Sequence, residues 1–195
     1  MHDRAIRPLQ FLALQLVGAV AVVHLAVGTE QLAAVAANGL LGRYLTSEVF
    51  THPRALLFVL LGVAGLAGIV AAAKGWLPRR RAYELGIALM LCSLLSWVAW
   101  HTLLNHGAAI GAAPAPEDHT HGGLLATLFS HYVEPILAAL GTAASDTPGS
   151  GRVLLGVVSK TLELAAVVVL ALLLRTDPAV AGEPLLSLGL SNPEA

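Results

Sequence analysis

Residues 55–73 read ALLFVLLGVAGLAGIVAAA, and no polar side chain interrupts this run. A helix of roughly 20 residues covers the ~30 Å hydrocarbon core of a bilayer, so the run predicts a membrane span. Of all 195 residues, 56% are hydrophobic and only 12% are charged. Because ordinary soluble domains are roughly 25% charged, the chain is predicted to be an integral membrane protein.

Three more apolar blocks are long enough to span a bilayer. The predicted spans cover about residues 9–29, 54–74, 82–105 and 153–175. They predict an all-α fold, a polytopic four-helix bundle in a single domain that covers residues 1–178, with one or two extracytoplasmic interfacial helices. Residues 179–195 are predicted to form a flexible tail. A cleaved signal peptide is the alternative for the first block, because Ala34-Val35-Ala36 resembles a cleavage site, although the apolar core exceeds the usual length of about 7–15 residues.

Residues 123–142 predict an amphipathic helix, because apolar side chains recur through them at helical spacing. The opposite face carries His131 and Glu134. A membrane span here would place these polar side chains near the bilayer centre, at a cost of several kcal/mol. An interfacial or re-entrant helix is therefore favoured over a fifth span. A shorter surface helix is predicted over residues 40–49.

Basic residues cluster on one side of the predicted bundle. Arg4 and Arg7 precede the first span, residues 74–81 hold one lysine and three arginines, and Arg175 follows the fourth span. The positive-inside rule then places both termini and the 74–81 turn in the cytoplasm of a multi-pass cell-membrane protein. As a result, seven of the eight histidines fall at or near the extracytoplasmic face: His24, His52, His101, His106, His119, His121 and His131.

Four ionisable residues lie inside predicted spans at informative positions. His24 and His101 each stand about four or five residues from the outer end of a span, which puts both roughly 6–8 Å below the membrane boundary. Lys160 and Glu163 lie deeper and three residues apart, so they can pair on one helix face. A carboxylate near the bilayer midplane is a functional-site candidate. We expect Lys160 and Glu163 to tune a site or relay protons, or else to form a structural ion pair.

The histidines favour metal chemistry, because imidazole is the commonest metal ligand and suits copper, zinc and iron. The only cysteine is Cys92, so thiolate sites and internal disulfides are excluded. The leading hypothesis is an extracytoplasmic site that binds copper, zinc or haem for redox chemistry or metal handling, with His24 and His101 as ligands. The further candidate ligands are His106, His131 and Glu134. Alternatively, each intramembrane histidine only forms hydrogen bonds between helices.

Two other functions stay open, and whether the chain is an enzyme is not decided. A structural or assembly subunit would receive a partner, or another copy of the chain, on the face of Gly62, Gly65 and Gly68. A proton-coupled transporter or pH sensor would use Glu163 and the histidines, because histidine titrates near physiological pH. The bilayer is the expected environment. The net charge of −1 argues against nucleic acid as a partner, and no phosphate-binding loop, nucleophile elbow or dinucleotide fingerprint is present.

Overall fold

The computed structural model describes residues 3–104, 124–141 and 150–180. In chain order the helices are α1 (Asp3–Ala37), α2 (Leu41–Arg43), α3 (Arg54–Ala73), α4 (Arg79–Thr102), α5 (Leu124–Leu128), α6 (Glu134–Gly141) and α7 (Ser150–Thr176). Two π-helical turns, Tyr44–Glu48 and Phe129–Val133, follow α2 and α5. Helices α1, α3, α4 and α7 are long and apolar enough to cross a bilayer, and the described residues contain no strand. The predicted all-α membrane bundle is confirmed.

The four long helices form a closed bundle in which each helix has two neighbours. Helix α1 contacts α3 and α7, and α4 contacts the same two helices. The turn from α3 to α4 is tight because Gly75 adopts φ of +72°, a left-handed conformation that glycine tolerates best. We call the end of the bundle that holds Ala37 and Thr102 the histidine end. The opposite end, which holds Arg79 and Thr176, is the arginine end.

Apolar side chains divide between a buried core and an outward surface. The buried core residues include Ile6, Ala13, Val20, Met90, Ala166, Leu170 and Leu173. Large apolar residues also cover the outside of the four spans, including Phe11, Leu60, Leu95 and Val168. An apolar surface of this extent is typical of membrane contact, so the bilayer is the solvent for the outer faces of the bundle.

Helix α1 continues well beyond its predicted apolar block, which ends at residue 29. It stops where the Asn38-Gly39 pair predicts a helix stop, with Gly39 at φ of +71°. The backbone N–H of Gly39 donates to the carbonyl of Ala36 at 2.9 Å, and that of Leu40 donates to Val35 at 3.0 Å. The predicted span of residues 9–29 therefore ends before α1 does, because the residues from 30 to Ala37 are also helical.

Glycines bring α1 and α3 close together. A Cβ atom added to Gly62 would lie 2.6 Å from Leu25 Cγ and 2.8 Å from the backbone oxygen of Ala21, and one on Gly65 would lie 3.1 Å from Ala21 Cβ. A Cβ atom on Gly68 would meet nothing within 4 Å. Close packing on this face is confirmed, but its partner is α1 of the same chain. The predicted surface for another subunit is therefore already covered at two of its three glycines.

The amphipathic segment forms a helical run from Leu124 to Gly141 with a π-helical turn in its middle. It packs on α4 and α7, and its residue Thr127 is fully buried. The Tyr132 hydroxyl lies 2.5 Å from Thr161 Oγ1 on α7. The apolar stretch, Leu124–Leu137, is shorter than the four spans. Of the predicted flexible tail, residues 181–195 lie outside the described residues.

Candidate functional site

A buried polar network connects three of the four spans near the middle of the bundle. Its members are His24 on α1, Ser93 on α4, and Ser159, Lys160 and Glu163 on α7. Each is at most 8% exposed, and Glu163 is 0% exposed. Burying charged groups in a membrane protein is costly unless they are paired, so the contacts within the network decide what it can do.

Lys160 and Glu163 form the ion pair that their three-residue spacing predicted. The ammonium lies 2.6 Å from Oε1 and 2.8 Å from Oε2 of the carboxylate. Ser159 adds a hydrogen bond by donating from Oγ to Glu163 Oε1 at 3.1 Å. Sequence reasoning missed Ser159, although its four-residue spacing from Glu163 places both on one helix face.

His24 is the third ionisable member of the network. Its Nε2 lies 3.3 Å from Glu163 Oε1 and 3.5 Å from Ser93 Oγ. Its ring stacks on Phe58 of α3, with ring centroids 5.2 Å apart and planes 19° apart. The guanidinium of Arg54 lies 5.6 Å from the centroid of the same phenyl ring. The imidazole on α1 therefore meets side chains from the other three spans. Phe58 was not predicted, because a phenylalanine in an apolar run carries no signal that it faces inward.

The geometry selects the tautomer of neutral His24. With its proton on Nε2, the ring donates to the Glu163 carboxylate, whereas a lone pair on Nε2 would face the negative charge. The lone pair is then on Nδ1, and an added proton binds at that atom.

Lys160 also donates to Ser93 Oγ at 3.0 Å, so α4 and α7 are joined directly.

A narrow cleft lies beside His24 between α1, α3 and α4. Its lining includes Ala21, Gly65, Met90 and Ser93, and it is too narrow to hold a water molecule. Water is the usual carrier of protons to a buried group. In this conformation the cleft formed by these described residues therefore can hold no water beside His24.

A second cluster lies at the histidine end, between α4 and the π-helical turn of residues 129–133. The rings of His101 and His131 have centroids 4.6 Å apart, and Trp97 lies 4.7 Å from His101 and 6.4 Å from His131. His101 Nδ1 lies 2.7 Å from the backbone oxygen of Trp97, so Nδ1 carries the proton and donates it. Both histidines are among the candidate metal ligands predicted from the sequence.

The structure separates His24 from His101. His24 contacts Ser93, and Ser93 precedes His101 on α4 by eight residues, which is ~12 Å at the rise of a helix. The predicted equal depth of the two imidazoles is therefore wrong. The depth was counted from the apolar block of the first span, although α1 continues to Ala37. A shared metal or haem site for His24 and His101 would need both rings in one cluster, and they lie in two.

The other two predicted ligands are His106 and Glu134. His106 lies outside the described residues. Glu134 is exposed at the start of α6 and forms no ion pair with another described residue. Among residues 3–104, 124–141 and 150–180, no group of three or more His, Cys, Asp or Glu side chains is placed to hold a metal ion. Of the five predicted ligands, the structure brings His101 and His131 next to each other, places His24 in the buried network, and does not test His106.

A third polar cluster closes the arginine end and was not predicted from the sequence. Asp177 Oδ2 accepts hydrogen bonds from the Tyr83 hydroxyl at 2.8 Å and the Gln10 amide at 3.0 Å, while Oδ1 accepts from the Ala179 N–H at 3.0 Å. Burial raises the pKa of Asp177, but these hydrogen bonds outweigh burial and hold the pKa below its usual value. The cluster ties α1 and α4 to the end of α7. Its only sequence signal is that Gln10 and Tyr83 are polar residues near the ends of predicted spans.

The chain was compared with protein families, curated proteins and solved structures. No family model, no curated protein and no solved structure matches the chain. The buried network and the histidine pair are therefore the basis for assigning a function.

Proposed function

We propose that this chain is a proton-responsive membrane protein, a proton-coupled transporter or pH sensor, in which the His24–Glu163–Lys160 network binds and releases a proton inside the bilayer. The observation that carries the proposal is the Glu163 carboxylate, which is 0% exposed and lies between an ammonium at 2.6 Å and an imidazole at 3.3 Å. Histidine is the side chain whose charge ordinarily changes between about pH 5 and 8. A carboxylate already in place beside it stabilises the added charge.

The chemistry is a change of net charge at one buried point. With Lys160 and Glu163 ionised and His24 neutral, the three groups carry no net charge. A proton bound at His24 Nδ1 makes the net charge +1. Two cations then share one carboxylate in a low-dielectric interior, which weakens the hold of Glu163 on Lys160.

This charge change acts on helix packing because the network crosses helix boundaries. His24 belongs to α1, Ser93 to α4, and Lys160 and Glu163 to α7. Protonation therefore favours an arrangement in which these helices separate enough to admit water, while the neutral network favours the closed cleft described above. The closed cleft and the hydrated arrangement are the two states that a sensor or a transporter needs.

The proposal includes an orientation. Lys74, Arg79, Arg80 and Arg81 lie at the arginine end, which the positive-inside rule assigns to the cytoplasm together with both termini. The histidine end, with His101 and His131, is then extracytoplasmic. A proton from outside would reach His24 from the histidine end, and the Asp177 cluster would close the cytoplasmic side.

Nuclear magnetic resonance of protein labelled with ¹⁵N at histidine tests the proposal directly. His24 is assigned by the signal that disappears in His24→Gln. In wild-type protein in lipid nanodiscs, we expect the His24 nitrogens to change from the neutral to the imidazolium form as the pH is lowered. In Glu163→Gln we expect His24 to stay neutral, because the carboxylate is lost and Lys160 remains positive. His52→Gln is the matched control, since His52 is exposed in the connection between α1 and α3.

The double variant Lys160→Met/Glu163→Gln keeps this test usable if Glu163→Gln leaves an unpaired lysine that prevents folding. His24 should stay neutral there as well. A wild-type His24 that remains neutral down to pH 5, or that responds identically without Glu163, would show that the network is a structural ion pair and nothing more.

Proton flux distinguishes a transporter from a sensor. The protein is reconstituted in liposomes with an entrapped pH-sensitive dye, and the outside is acidified. Faster acidification than in empty liposomes, lost in Glu163→Gln and kept in His52→Gln, identifies a transporter. Titration of His24 without flux shows that proton binding does not by itself move protons across the bilayer, as the sensor proposal requires.

A further inference from the structure

We infer that His101 and His131 bind a transition-metal ion of the zinc or copper class at the histidine end of the bundle. The site is separate from the buried network, because Ser93, which contacts His24, precedes His101 on α4 by eight residues. It lies between α4 and the amphipathic segment, so an ion there would connect the segment to the bundle.

The spacing of the two rings matches ligation of one ion. With metal–nitrogen bonds of about 2.0–2.1 Å, two imidazoles on adjacent positions have ring centroids roughly 4.5 Å apart on a square ion and roughly 5.2 Å apart on a tetrahedral one. The observed separation is 4.6 Å, and the rings are inclined by 56°. Stacked aromatic rings would be close to parallel, so this inclination is not that of a simple stack.

The hydrogen bond of His101 prepares it as a ligand. Its Nδ1–H donates to the backbone oxygen of Trp97 at 2.7 Å, which leaves the lone pair on Nε2. Metal-binding histidines almost always donate their other N–H in this way, and a backbone carbonyl is a usual acceptor. The bond also fixes the ring relative to α4.

His131 is the central residue of the π-helical turn Phe129–Val133. Single π-helical turns within α-helices occur frequently at functional sites, because the extra residue redirects side chains. The Tyr132–Thr161 hydrogen bond holds this turn against α7, and Thr127 just before the turn is fully buried. His131 is therefore positioned by contacts other than those with His101.

Two imidazoles supply half of a four-coordinate shell, and water or a small anion would complete it. Nitrogen ligands of this kind suit copper, zinc and nickel, whereas calcium and magnesium prefer oxygen. Zinc and copper(II) are therefore the probes of choice.

Metal titration of the purified, chelator-treated protein tests the inference. We expect Zn²⁺ or Cu²⁺ to bind at one ion per chain, with copper giving an electron paramagnetic resonance spectrum of two coupled nitrogens. Removal of a residue that merely supports a ligand typically costs 10–100-fold in metal affinity, so His101→Phe and His131→Phe should each lower affinity by at least about tenfold. Phenylalanine keeps a ring beside Trp97, which preserves packing.

His52→Phe is the matched control for a surface histidine near the same end, and His24→Gln is the control for the buried network; both should bind as wild type does. Trp97 fluorescence gives a second measurement, because copper bound beside it quenches emission and zinc does not. Wild-type affinity in the double variant His101→Phe/His131→Phe, or an equal loss in His52→Phe, would overturn the inference. Failure here would leave the titration of His24 untouched.

Discussion

The contact between α1 and α3 yields the sharpest prediction about stability. Gly62→Ala adds a methyl group where a Cβ would lie 2.6 Å from Leu25 Cγ, 2.8 Å from Ala21 O and 3.0 Å from Leu25 N. Carbon atoms in good contact lie about 3.5–4.0 Å apart, so the helices must separate by roughly 1 Å. Two of the three obstructing atoms belong to the α1 backbone and cannot rotate away.

The magnitude follows from a matched pair of variants. Both Gly62→Ala and Gly68→Ala gain about 0.8–1.0 kcal/mol of helix propensity, and this gain cancels in their comparison. Overpacking a close contact typically costs 1–3 kcal/mol. A Cβ on Gly68 meets nothing within 4 Å, so that variant has no such cost. We therefore expect Gly62→Ala to be about 1–3 kcal/mol less stable than Gly68→Ala.

Unfolding of both variants in mixed micelles, followed by far-ultraviolet circular dichroism against increasing denaturing detergent, gives the two free energies of unfolding. Gly62→Ala should also alter the surroundings of His24, because Phe58 stacks on that ring from the same helix. Equal stability of the two variants would refute the reasoning, since it would mean that α1 and α3 do not approach each other at Gly62.

Three more predictions concern polar contacts. Lys160→Met should destabilise the fold by about 3–5 kcal/mol, because it leaves the buried Glu163 carboxylate without its ammonium partner. The double variant Lys160→Met/Glu163→Met should regain most of that loss in the same unfolding assay. A double variant as unstable as the single one would contradict this reasoning. Asp177→Asn should cost about 1–2 kcal/mol at neutral pH because the acceptor of two side-chain hydrogen bonds loses its charge. The folded-state pKa of Asp177 is lowered, so its contribution to the free energy of unfolding is present above the usual carboxyl pKa of about 3.9. That contribution is lost as the pH falls through the lowered pKa. The Tm values of wild type and variant should therefore differ at neutral pH and approach each other only below about pH 4. Tyr132→Phe should speed hydrogen exchange in residues 124–141, because the bond to Thr161 is lost at a cost of about 1 kcal/mol, while exchange in α3 should not change.

The number of spans and the ends of several helices could be predicted because local rules decide them. An apolar run as long as the bilayer is thick specifies a span wherever it occurs, and the Asn38-Gly39 pair ends α1 through a glycine conformation that needs no distant contact. The Lys160–Glu163 pair was predictable for the same reason, because a three-residue spacing places both side chains on one face of the same helix.

The site was only partly predictable because it depends on how helices rotate and slide against one another. His24 could have faced any of three helices, and neither its depth nor its partner follows from spacing within α1. Ser93, Trp97 and His101 recur at four-residue spacing, which places them on one face of α4. The structure divides this face: Ser93 joins the buried network, while Trp97 and His101 join the cluster at the histidine end. Phe58 gave no signal at all, since an inward-facing and a lipid-facing phenylalanine look alike in an apolar run.

The composition of the network argues for proton binding more strongly than the burial of its ion pair does. A structural ion pair is complete when one cation meets one anion, and Lys160 with both carboxylate oxygens of Glu163 already satisfies that condition. His24 adds a second basic group to a carboxylate that needs no further neutralisation, and Phe58 and Arg54 hold its ring in place from the fourth helix. If structure alone were required, an apolar side chain at position 24 would pack beside Phe58 without the cost of burying another polar ring. The variant His24→Leu separates the two roles: it should keep or raise the free energy of unfolding while abolishing proton uptake by the network, whereas a severe loss of stability would assign His24 to the structure of the bundle.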